Sequence, residues 1–514
     1  MAVVGGGPGG LVSAMLLAHA GADVTVFERH ACVGGRSSAI DAETDAGRFR
    51  FDVGPTFFLY PQILKDIFSR CGLYMEDTIT LKRLEEHYDL AFEKGPTLRL
   101  NSCIEALERE VSRIDPHDAR NVRQFVADNR KKFRKFVPIL RRPFNSVLDL
   151  LRPDMLRALP MLRPMSSVDK DLARYFKNPK THLAFSFQSK YLGMSPYRCP
   201  SLFTILSFME HEYGIYHPVG GTAAVMEALR NAAEGLGATI RLNTPIREIL
   251  TENGCAVGVQ TDEGPQKADA VVVNADFAQA MNRLIPDRKR KRWTNRVLER
   301  KKYSCSTFMM YLGIEGTLPN HGHHTIFLAE DYDRNFAEIE AGTSLSEAAS
   351  LYVQNACVTD PGQAPDGHST LYVLMPVGHL RDGGLEWTDE TRAEARKLVM
   401  ARLEKAGFTD IEERIRFEKI VTPADWEDTY AVHKGAVFNL AHNLGQMLHR
   451  RPHNCFEDVK NVYLVGGGTH PGSGLPVIFE GARISSDLLI RDFTPERPRS
   501  LNKFFRKTPA HALS

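Results

Sequence analysis

Three separated stretches of the 514-residue sequence alternate short apolar runs with glycine-rich turns, and they predict an α/β fold. The simplest architecture that joins them is one Rossmann-like nucleotide-binding domain assembled from three chain segments, with the residues between them inserted as a second domain. The predicted organisation is a first nucleotide-binding segment (1–75), a substrate- and membrane-associating segment (76–211), a second nucleotide-binding segment (212–285), a further substrate-domain segment (286–429), a third nucleotide-binding segment (430–493) and a basic tail (494–514).

The first segment begins with a short apolar strand and a glycine-rich turn. Residues 2–4 are expected to end a buried strand. The turn that follows contains Gly5, Gly7, Pro8 and Gly10, in the G-x-G-x-x-G spacing of dinucleotide-binding loops. One glycine makes the turn, one lets the backbone approach a pyrophosphate, and one permits close packing of helix on strand.

A helix, a second strand and an acidic residue follow this turn in the expected order. Residues 11–20 are rich in alanine and leucine and predict a helix whose N-terminus faces the phosphate. Residues 23–27 predict a second strand that ends at Glu28, about 20 positions beyond the glycines, where an acidic side chain binds a ribose hydroxyl. This order disfavours a glycine turn without a ligand. The run also lacks the basic start of a signal peptide, so we expect the beginning of the fold, although a true start upstream of Met1 stays open.

Further glycine motifs recur along the chain. Gly35 and Arg36 lie where a backbone amide and a guanidinium could reach the pyrophosphate from its other side. The run FDVGPT supplies Gly54, Pro55 and Thr56. Residues 212–267 predict helix, strands and a hairpin, and the buried strand that follows ends in a polar turn at 274–276. Residues 462–490 predict strand, glycine-rich turn and helix, and the N-terminus of that helix would stabilise negative charge on a bound ring.

Composition excludes several classes of function. The net charge of +2 gives no reason to expect a nucleic-acid partner. The eight cysteines contain no C-x-x-C pair, so neither a zinc site nor a disulfide framework is expected, and a cytoplasmic protein is favoured. The run HGHH at 321–324 lies in a polar stretch without carboxylate partners, and we expect no metal there. No apolar run has the roughly 20 residues needed to span a bilayer.

The segment at 130–163 combines ten lysines and arginines with two aspartates and many apolar residues. Prolines 143, 153, 160 and 164 are expected to divide it into short helices. Such helices suit an anionic membrane surface, and the alternative is a solvated basic face. Residues 320–370 are expected to be rich in loops, and 390–406 to form an exposed helix.

Taken together, these motifs resemble those of the phytoene desaturase family of FAD-dependent carotenoid oxidoreductases, within the wider amine-oxidase-like flavoprotein group. The similarity includes YHPVGGTAAVMEAL at 216–229, RLNTPIREI at 241–249 and, as the carotenoid-type element, THPGSGLP at 469–476. The residues that the resemblance implies for FAD binding are Gly5, Gly7, Pro8, Gly10, Glu28, Gly35, Arg36, Gly54, Pro55, Thr56, Ile246, Gly468, Thr469, His470, Gly474, Leu475, Pro476 and Val477. Many relatives carry Asp where this chain has Gly467, so the partner of the ribityl chain stays open.

The resemblance implies a desaturase that introduces conjugated double bonds into phytoene or a shorter apocarotenoid by hydride transfer to flavin, with a quinone or dioxygen reoxidising the cofactor. Such an enzyme would lie peripherally on the membrane that holds its substrate. The run VIFEGARISS keeps open a carotenoid terminal-methyl oxidase or oxygenase, and a polyene isomerase or saturase is a third hypothesis. Amine oxidation is disfavoured by THPGSGLP. No catalytic acid or base is assigned: His470 and Glu480 are candidates that could equally be structural.

Overall fold

The structure, a computed structural model, describes residues 1–318 and 320–493, so the expected tail at 494–514 lies outside the described residues. The strands are β1 (Ala2–Val4), β2 (Thr25–Phe27), β3 (Ala39–Thr44), β4 (Gly47–Asp52), β5 (Phe58–Leu59), β6 (Leu81–Arg83), β7 (Glu86–Phe92), β8 (Thr97–Asn101), β9 (Ile215–Pro218), β10 (Thr239–Arg241), β11 (Ile246–Glu252), β12 (Cys255–Thr261), β13 (Gly264–Lys267), β14 (Val271–Val273), β15 (Ser306–Glu315), β16 (His324–Leu328), β17 (Leu351–Gln354), β18 (His368–Val377), β19 (Ile415–Val421) and β20 (Val462–Leu464).

The α-helices are α1 (Pro8–His19), α2 (Gln62–Arg70), α3 (Ile104–Ser112), α4 (Pro116–Ala119), α5 (Val122–Leu140), α6 (Pro153–Leu162), α7 (Val168–Leu172), α8 (Pro179–Ser186), α9 (Thr204–Tyr213), α10 (Gly221–Gly235), α11 (Phe277–Leu284), α12 (Asn295–Glu299), α13 (Tyr332–Ala341), α14 (Asp389–Lys405), α15 (Ile411–Arg414), α16 (Pro423–Asp428) and α17 (Leu475–Phe493).

A parallel five-stranded sheet organises the nucleotide-binding domain, in the order β10-β2-β1-β14-β20. These strands come from all three predicted segments, which confirms that one α/β domain is assembled from separated parts of the chain. Helices α1, α10 and α17 cover one face of the sheet with a shared apolar core. Because the strands are parallel, their carboxyl ends meet at one edge, where ligands bind in folds of this class.

Local predictions hold best in this domain. Helix α1 begins at Pro8, earlier than expected, because proline fits the first turn of a helix, where its missing N–H is not needed. Strand β2 is shorter than the predicted 23–27 and ends, as expected, immediately before Glu28. Strand β14 ends at the predicted polar turn, and β20 leads through glycines into α17.

A mixed seven-stranded sheet forms the second domain, in the order β19-β15-β18-β17-β16-β7-β8. Helix α14 confirms the helix expected at 390–406, but Ala395, Val399 and Leu403 are buried, so one face packs on this sheet instead of facing solvent. The expectation that 320–370 is rich in loops is wrong for much of that stretch, which contains β16, α13 and β17. These elements are short, and their apolar residues are too few to show a clear period.

The basic stretch is more regular than its prolines suggest. Helix α5 runs for 19 residues with Pro138 inside it, and Pro160 lies inside α6, so the prediction that Pro160 separates two helices is wrong. Packing of Met155, Ala158 and Leu162 into the core keeps α6 helical despite the proline. None of the described helices combines the length and the hydrophobicity that crossing a lipid bilayer requires.

Candidate cofactor and substrate cavity

A cavity of about 770 Å³ is lined both by loops at the carboxyl edge of the parallel sheet and by the seven-stranded sheet. We call the first set of lining residues the nucleotide half; it includes Gly5, Gly7, Glu28, Gly35, Arg36, Ile246, Asn274 and Gly466. We call the second set the apolar half; it includes Phe57, Tyr191, Met309, Ile326, Leu328, Tyr352, Tyr372 and Leu374. The cavity thus joins a site of nucleotide-binding design to a wall of apolar and aromatic side chains.

The first glycine turn is fixed against the polar turn that follows β14. Gly5 has a φ of +97°, and a Cβ there would lie 2.4 Å from the carbonyl oxygen of Asn274. The Asn274 side-chain amide donates a hydrogen bond to the Gly5 carbonyl at 3.1 Å. A Cβ on Gly10 would lie 2.1 Å from that same carbonyl, so Gly10 permits the helix to pack and does not line the cavity. Gly7 and Pro8 do line it, at the N-terminus of α1.

Glu28 is held in a defined orientation beside this turn. Its Oε2 accepts a hydrogen bond from the Gly6 amide at 2.7 Å, and its Oε1 accepts one from the His30 amide at 2.9 Å. The residue is buried, yet it lines the cavity. A carboxylate oxygen has a second lone pair, so each can still accept a hydroxyl proton. The arrangement suits the predicted ribose contact.

Arg36 supplies positive charge to the nucleotide half. Its guanidinium donates to the carbonyl of Val437, and it lies close to the half-buried carboxylate of Asp276. Burial lowers the pKa of Arg36, and the charge of Asp276 opposes that shift. Asn439 donates to Asp276 at 2.5 Å, which fixes the acid in turn. A second anion such as a pyrophosphate would therefore meet a guanidinium already oriented by the protein.

The C-terminal glycine turn is held from behind by a buried arginine. Arg451 is fully buried and donates to the carbonyls of Gly467 at 2.6 Å and Thr469 at 3.2 Å. Burial lowers its pKa to about 9, and backbone carbonyls are its hydrogen-bond partners. Residues 466, 467 and 473–476 line the cavity, at the point where α17 begins. Sequence analysis missed Arg451, because nothing near it in the sequence marks it as a support for the turn.

Several predicted cofactor residues do not line the cavity. Gly468, Thr469 and His470 of the turn and Val477 of α17 are not among the lining residues, while Gly54, Pro55, Thr56, Ile246, Gly474, Leu475 and Pro476 line the cavity together with the first loop. Ser473, within the predicted stretch, also lines it, as do Gly466 and Gly467, which were not predicted. The part of the turn that faces the cavity thus lies on either side of the predicted Gly468–His470. Direct contact of each predicted residue with FAD remains a prediction.

The two candidate acid–base residues point away from the cavity lining. His470 is buried against Phe144, its Nε2 lies 2.9 Å from the carbonyl oxygen of Arg142, and burial lowers its pKa to about 3. Glu480 is buried and accepts a hydrogen bond from Arg483 Nε at 2.8 Å, with Arg141 Nε 3.8 Å away. The geometry supports structural roles for both, as anchors of the chain that follows α5.

The apolar half arises from strand alternation. Thr307 and Met309 on β15, and Tyr372 and Leu374 on β18, point into the cavity at every second position. The residues between them, such as Val373, pack on the opposite face in the core beneath α14. Sequence analysis missed this wall because both faces are apolar, so the period-two pattern disappears.

No metal cluster is found among residues 1–318 and 320–493. All eight cysteines are free. In the HGHH run, His323 and His324 are buried, whereas His321 stacks on Phe408. The expectation of a polar loop there is therefore wrong for His324, the first residue of β16, and for His323, which is buried just before that strand.

The nucleotide half fits FAD. One side of the cavity brings together a backbone turn that has no room for a Cβ, two helix N-termini, an oriented carboxylate and a guanidinium. Residues 8–487 match the model of the family described as flavin containing amine oxidoreductase. The chain therefore belongs to that family and, within it, to the phytoene desaturase group, and it is an FAD-dependent oxidoreductase.

Two curated relatives illustrate the likeness. The chain is 42% identical over 488 residues to a 4,4'-diapophytoene desaturase (4,4'-diapolycopene-forming) of Methylomonas sp, covering 95% of this chain and 94% of the relative. It is 37% identical to the all-trans-zeta-carotene desaturase of Myxococcus xanthus, covering 95% and 93%.

Solved structures share the fold at low identity. A putrescine oxidase matches with a TM-score of 0.57 and 16% identity over 95% of this chain and 98% of that one. A fatty acid isomerase from P. acnes matches with a TM-score of 0.56 and 17% identity over 96% and 98%.

Proposed function

We propose that the protein desaturates an apolar polyene, phytoene or a shorter apocarotenoid analogue, with bound FAD as the acceptor of hydride. The observation that carries this proposal is the single cavity that joins the nucleotide half to the apolar half. A hydrocarbon substrate has no polar handle, so it must be held by shape and by exclusion of water. The names of the curated relatives, which desaturate diapophytoene and zeta-carotene, support the same substrate class.

Each part of the cavity has its own task in this reaction. The turn at Gly5–Gly7, with Glu28 and Arg36, would hold the adenosine diphosphate part of the cofactor. The N-terminus of α17 would stabilise negative charge at the far end. The cofactor, when bound, supplies the redox chemistry, and the apolar half aligns the polyene and keeps water out.

Anaerobic turnover tests the reaction class. The FAD-loaded protein is incubated with phytoene or its shorter analogue in micelles, with a quinone as electron acceptor. We expect products with additional conjugated double bonds, seen in their absorption spectra, and no gain of oxygen in their masses. A strict requirement for dioxygen, with labelled oxygen in an aldehyde or alcohol product, would instead identify a terminal-methyl oxidase. Shift or loss of double bonds without net oxidation would identify an isomerase or saturase.

We also propose that the protein docks on a membrane surface through the segment at 141–165. This segment begins later than the predicted 130–163 and ends two residues beyond it. Lys132, in the earlier part, is buried and paired with Asp171 at 2.8 Å, so it is not available to lipid. In the later part, Leu148, Leu151 and Met165 are 69, 64 and 91% exposed. Exposed arginines lie beside them in the chain. Apolar side chains flanked by cations suit an anionic lipid surface, where a carotenoid would also be found.

Flotation with liposomes tests this docking. We expect the protein to float with vesicles that contain anionic lipid, and the double variant Leu148→Ser/Leu151→Ser to float at least several-fold less. Because both side chains are exposed, the unfolding temperature should change little. Leu444→Ser removes a 46% exposed leucine outside the segment and serves as the matched control. Equal flotation of the double variant and the control would contradict the proposal.

A further inference from the structure

A series of hydrogen bonds starts in the cavity wall at Thr56, one of the residues predicted to bind FAD, and ends at a buried histidine. Thr56 Oγ1 lies 2.6 Å from the hydroxyl of Tyr352, and that hydroxyl lies 2.8 Å from Nδ1 of His324. Thr56 and Tyr352 line the cavity, whereas His324 is fully buried behind them. The Nε2 of His324 has no hydrogen-bond partner among the described residues.

Two more buried histidines pack behind His324. The ring centroids of His324 and His323 lie 4.3 Å apart, and those of His323 and His217 lie 4.7 Å apart. Nε2 of His217 lies 3.2 Å from Oδ2 of Asp360. The Asp360 side chain is 10% exposed, and the neighbouring Val358 is 53% exposed. Three imidazoles therefore pack in a column between the cavity wall and the buried carboxylate of Asp360, with no hydrogen bond recorded from one ring to the next among the described residues.

The packing of this column is unusual for a purely structural core. Three adjacent imidazoles bury several polar nitrogens, whereas apolar side chains would fill the same space without leaving a polar atom unsatisfied. Each buried nitrogen that lacks a hydrogen-bond partner lowers the stability of the fold. Only His323 has partners for both nitrogens, Gln354 at 3.1 Å and Thr359 at 2.7 Å. The unpaired nitrogens belong to the rings on either side of it, Nε2 of His324 and Nδ1 of His217.

From this juxtaposition we infer that Tyr352 and His324 take up the proton that the polyene loses in each desaturation, and that His324 holds it until it returns through the Tyr352 hydroxyl to the cavity after the product has left. The inference rests on the proposed function. In the reaction one carbon gives up a hydride with its electron pair to FAD, and the adjacent C–H electron pair becomes the new π bond. The proton from that C–H bond forms a bond to the Tyr352 oxygen as the Tyr352 proton passes to Nδ1 of His324.

The protonation states of the resting protein suit this transfer. Burial keeps the pKa of Tyr352 well above its usual range, so the residue starts as a neutral phenol able to donate. Burial, with the neighbouring His323, His217 and His87, keeps the pKa of His324 well below its usual range, so the ring starts neutral. A carbon beside one that is losing hydride is strongly acidic, so a weak base suffices. An imidazolium so disfavoured returns its proton to Tyr352 once the product has left, which restores the neutral pair for the next turnover.

Other titratable groups face the column from the elements packed against it. Asp52, at the end of β4, contributes to the electrostatics of both Tyr352 and His217. Tyr372 on β18 lies beside Tyr352, and its own hydroxyl donates to the Gly54 carbonyl at 2.7 Å. Burial raises the pKa of Asp360, but hydrogen bonds with His217, the Gly220 amide and Gln363 outweigh it and hold that pKa well below its usual range, so the column ends at an ionised carboxylate.

Two variants and one matched control test the relay. Tyr352→Phe removes the hydroxyl, and His324→Asn keeps a hydrogen-bonding group near the Nδ1 position but cannot take up a proton. Tyr303→Phe removes a buried tyrosine hydroxyl that donates to the Leu298 carbonyl at 2.9 Å and does not line the cavity. The FAD content of each purified protein is measured by absorbance. Bleaching of the FAD-loaded protein by micellar polyene is then followed without oxygen, in H₂O and in D₂O.

We expect Tyr352→Phe and His324→Asn to retain FAD but to bleach about a hundredfold more slowly, the loss typical of a missing proton acceptor. The native protein and Tyr303→Phe should bleach more slowly in D₂O than in H₂O, and the two relay variants should lose that difference. A readout independent of turnover is the ¹⁵N spectrum of imidazole-labelled protein. The His324 Nδ1 signal should shift on Tyr352→Phe and not on Tyr303→Phe.

The outcomes separate the relay from the proposed function. Native-like bleaching and solvent isotope effect in His324→Asn would overturn the relay and leave desaturation standing. An unchanged His324 signal in Tyr352→Phe would also overturn the relay, because it would show that the hydrogen bond between Tyr352 and His324 is absent in solution. Loss of FAD from Tyr352→Phe and His324→Asn would show that the pair only supports the Thr56 loop, and would overturn the relay as well. Failure of every polyene to bleach the native protein would overturn the proposed function and the relay with it.

Discussion

The two halves of the cavity are built in different ways. The nucleotide half consists of turns that directly follow parallel strands, so residues such as Gly5 and Glu28 are close in sequence to the elements that position them. The apolar half consists of alternate residues on antiparallel neighbours, such as Met309 and Leu374, each held by a partner strand far away in the chain. Backbone geometry therefore defines the first half, and side-chain composition defines the second.

The comparison predicts that small changes of shape are most damaging in the nucleotide half. A Cβ on Gly7 would lie 3.0 Å from the Asn274 side-chain amide, and a valine would also fill the space where a pyrophosphate must approach. We expect Gly7→Val to lose nearly all FAD, measured by absorbance after purification. Gly235→Val is the matched control, since no atom lies within 4 Å of its Cβ. Stoichiometric FAD in Gly7→Val would refute the assignment of this loop.

The junction between the halves should respond to pH. Asp52 ends β4 just before Gly54, and burial raises its pKa from 3.8 to about 6. The folded protein therefore binds this proton more tightly than the unfolded chain, and the free energy of unfolding falls as pH rises from about 4 to 6.

The variant Asp52→Asn avoids this cost of ionisation. Its side-chain oxygen can still accept the hydrogen bond from the Thr222 amide, which is 2.7 Å in the native protein. From pH 4 to pH 7.5 the free energy of unfolding of Asp52→Asn should gain about 3 kcal/mol relative to native protein, measured by urea denaturation. A difference between the two proteins that is independent of pH would show that Asp52 is not a buried ionisable group.

Changes in the apolar half should affect substrate and leave the cofactor in place. Leu374 is half-buried and lines the cavity, so Leu374→Asn adds a polar group where the polyene must lie. We expect kcat/KM to fall about tenfold, equivalent to about 1.4 kcal/mol, with unchanged FAD content. Leu345→Asn, at a half-buried leucine that does not line the cavity, should leave kcat/KM unaltered. Loss of FAD from Leu374→Asn would mean that the halves are not separable.

The same contrast explains what could be predicted from the sequence. Strands β1 and β14 and helix α1 were predicted because their apolar runs are bounded by glycine or polar turns, which are local signals. The turn before α17 was located to within a few residues, but the sequence could not show that Gly468–His470 face away from the cavity. That depends on Arg451, which holds the turn from a distant position.

The apolar half could not be predicted, for a physical reason. Residues 308–312 are buried on both faces of β15, so an apolar residue says nothing about which face borders the cavity. Tyr352 and His324 come together only through the pairing of β16 with β17, and no local pattern marks them as neighbours. The interpretation of the HGHH run as a polar loop failed for the same reason.

The anchors of the chain after α5 have a mechanical consequence. His470 lies within hydrogen-bond distance of the Arg142 carbonyl, and Arg483, paired with Glu480, donates to that of Arg141 at 2.9 Å. The turn beside the cavity and the helix that follows it are thus tied to the residues from which the exposed leucines extend. If the protein docks on a lipid surface as proposed, a force on the docking segment would be transmitted to the turn through these two contacts. The depth of docking and the tilt of the cavity would then depend on each other.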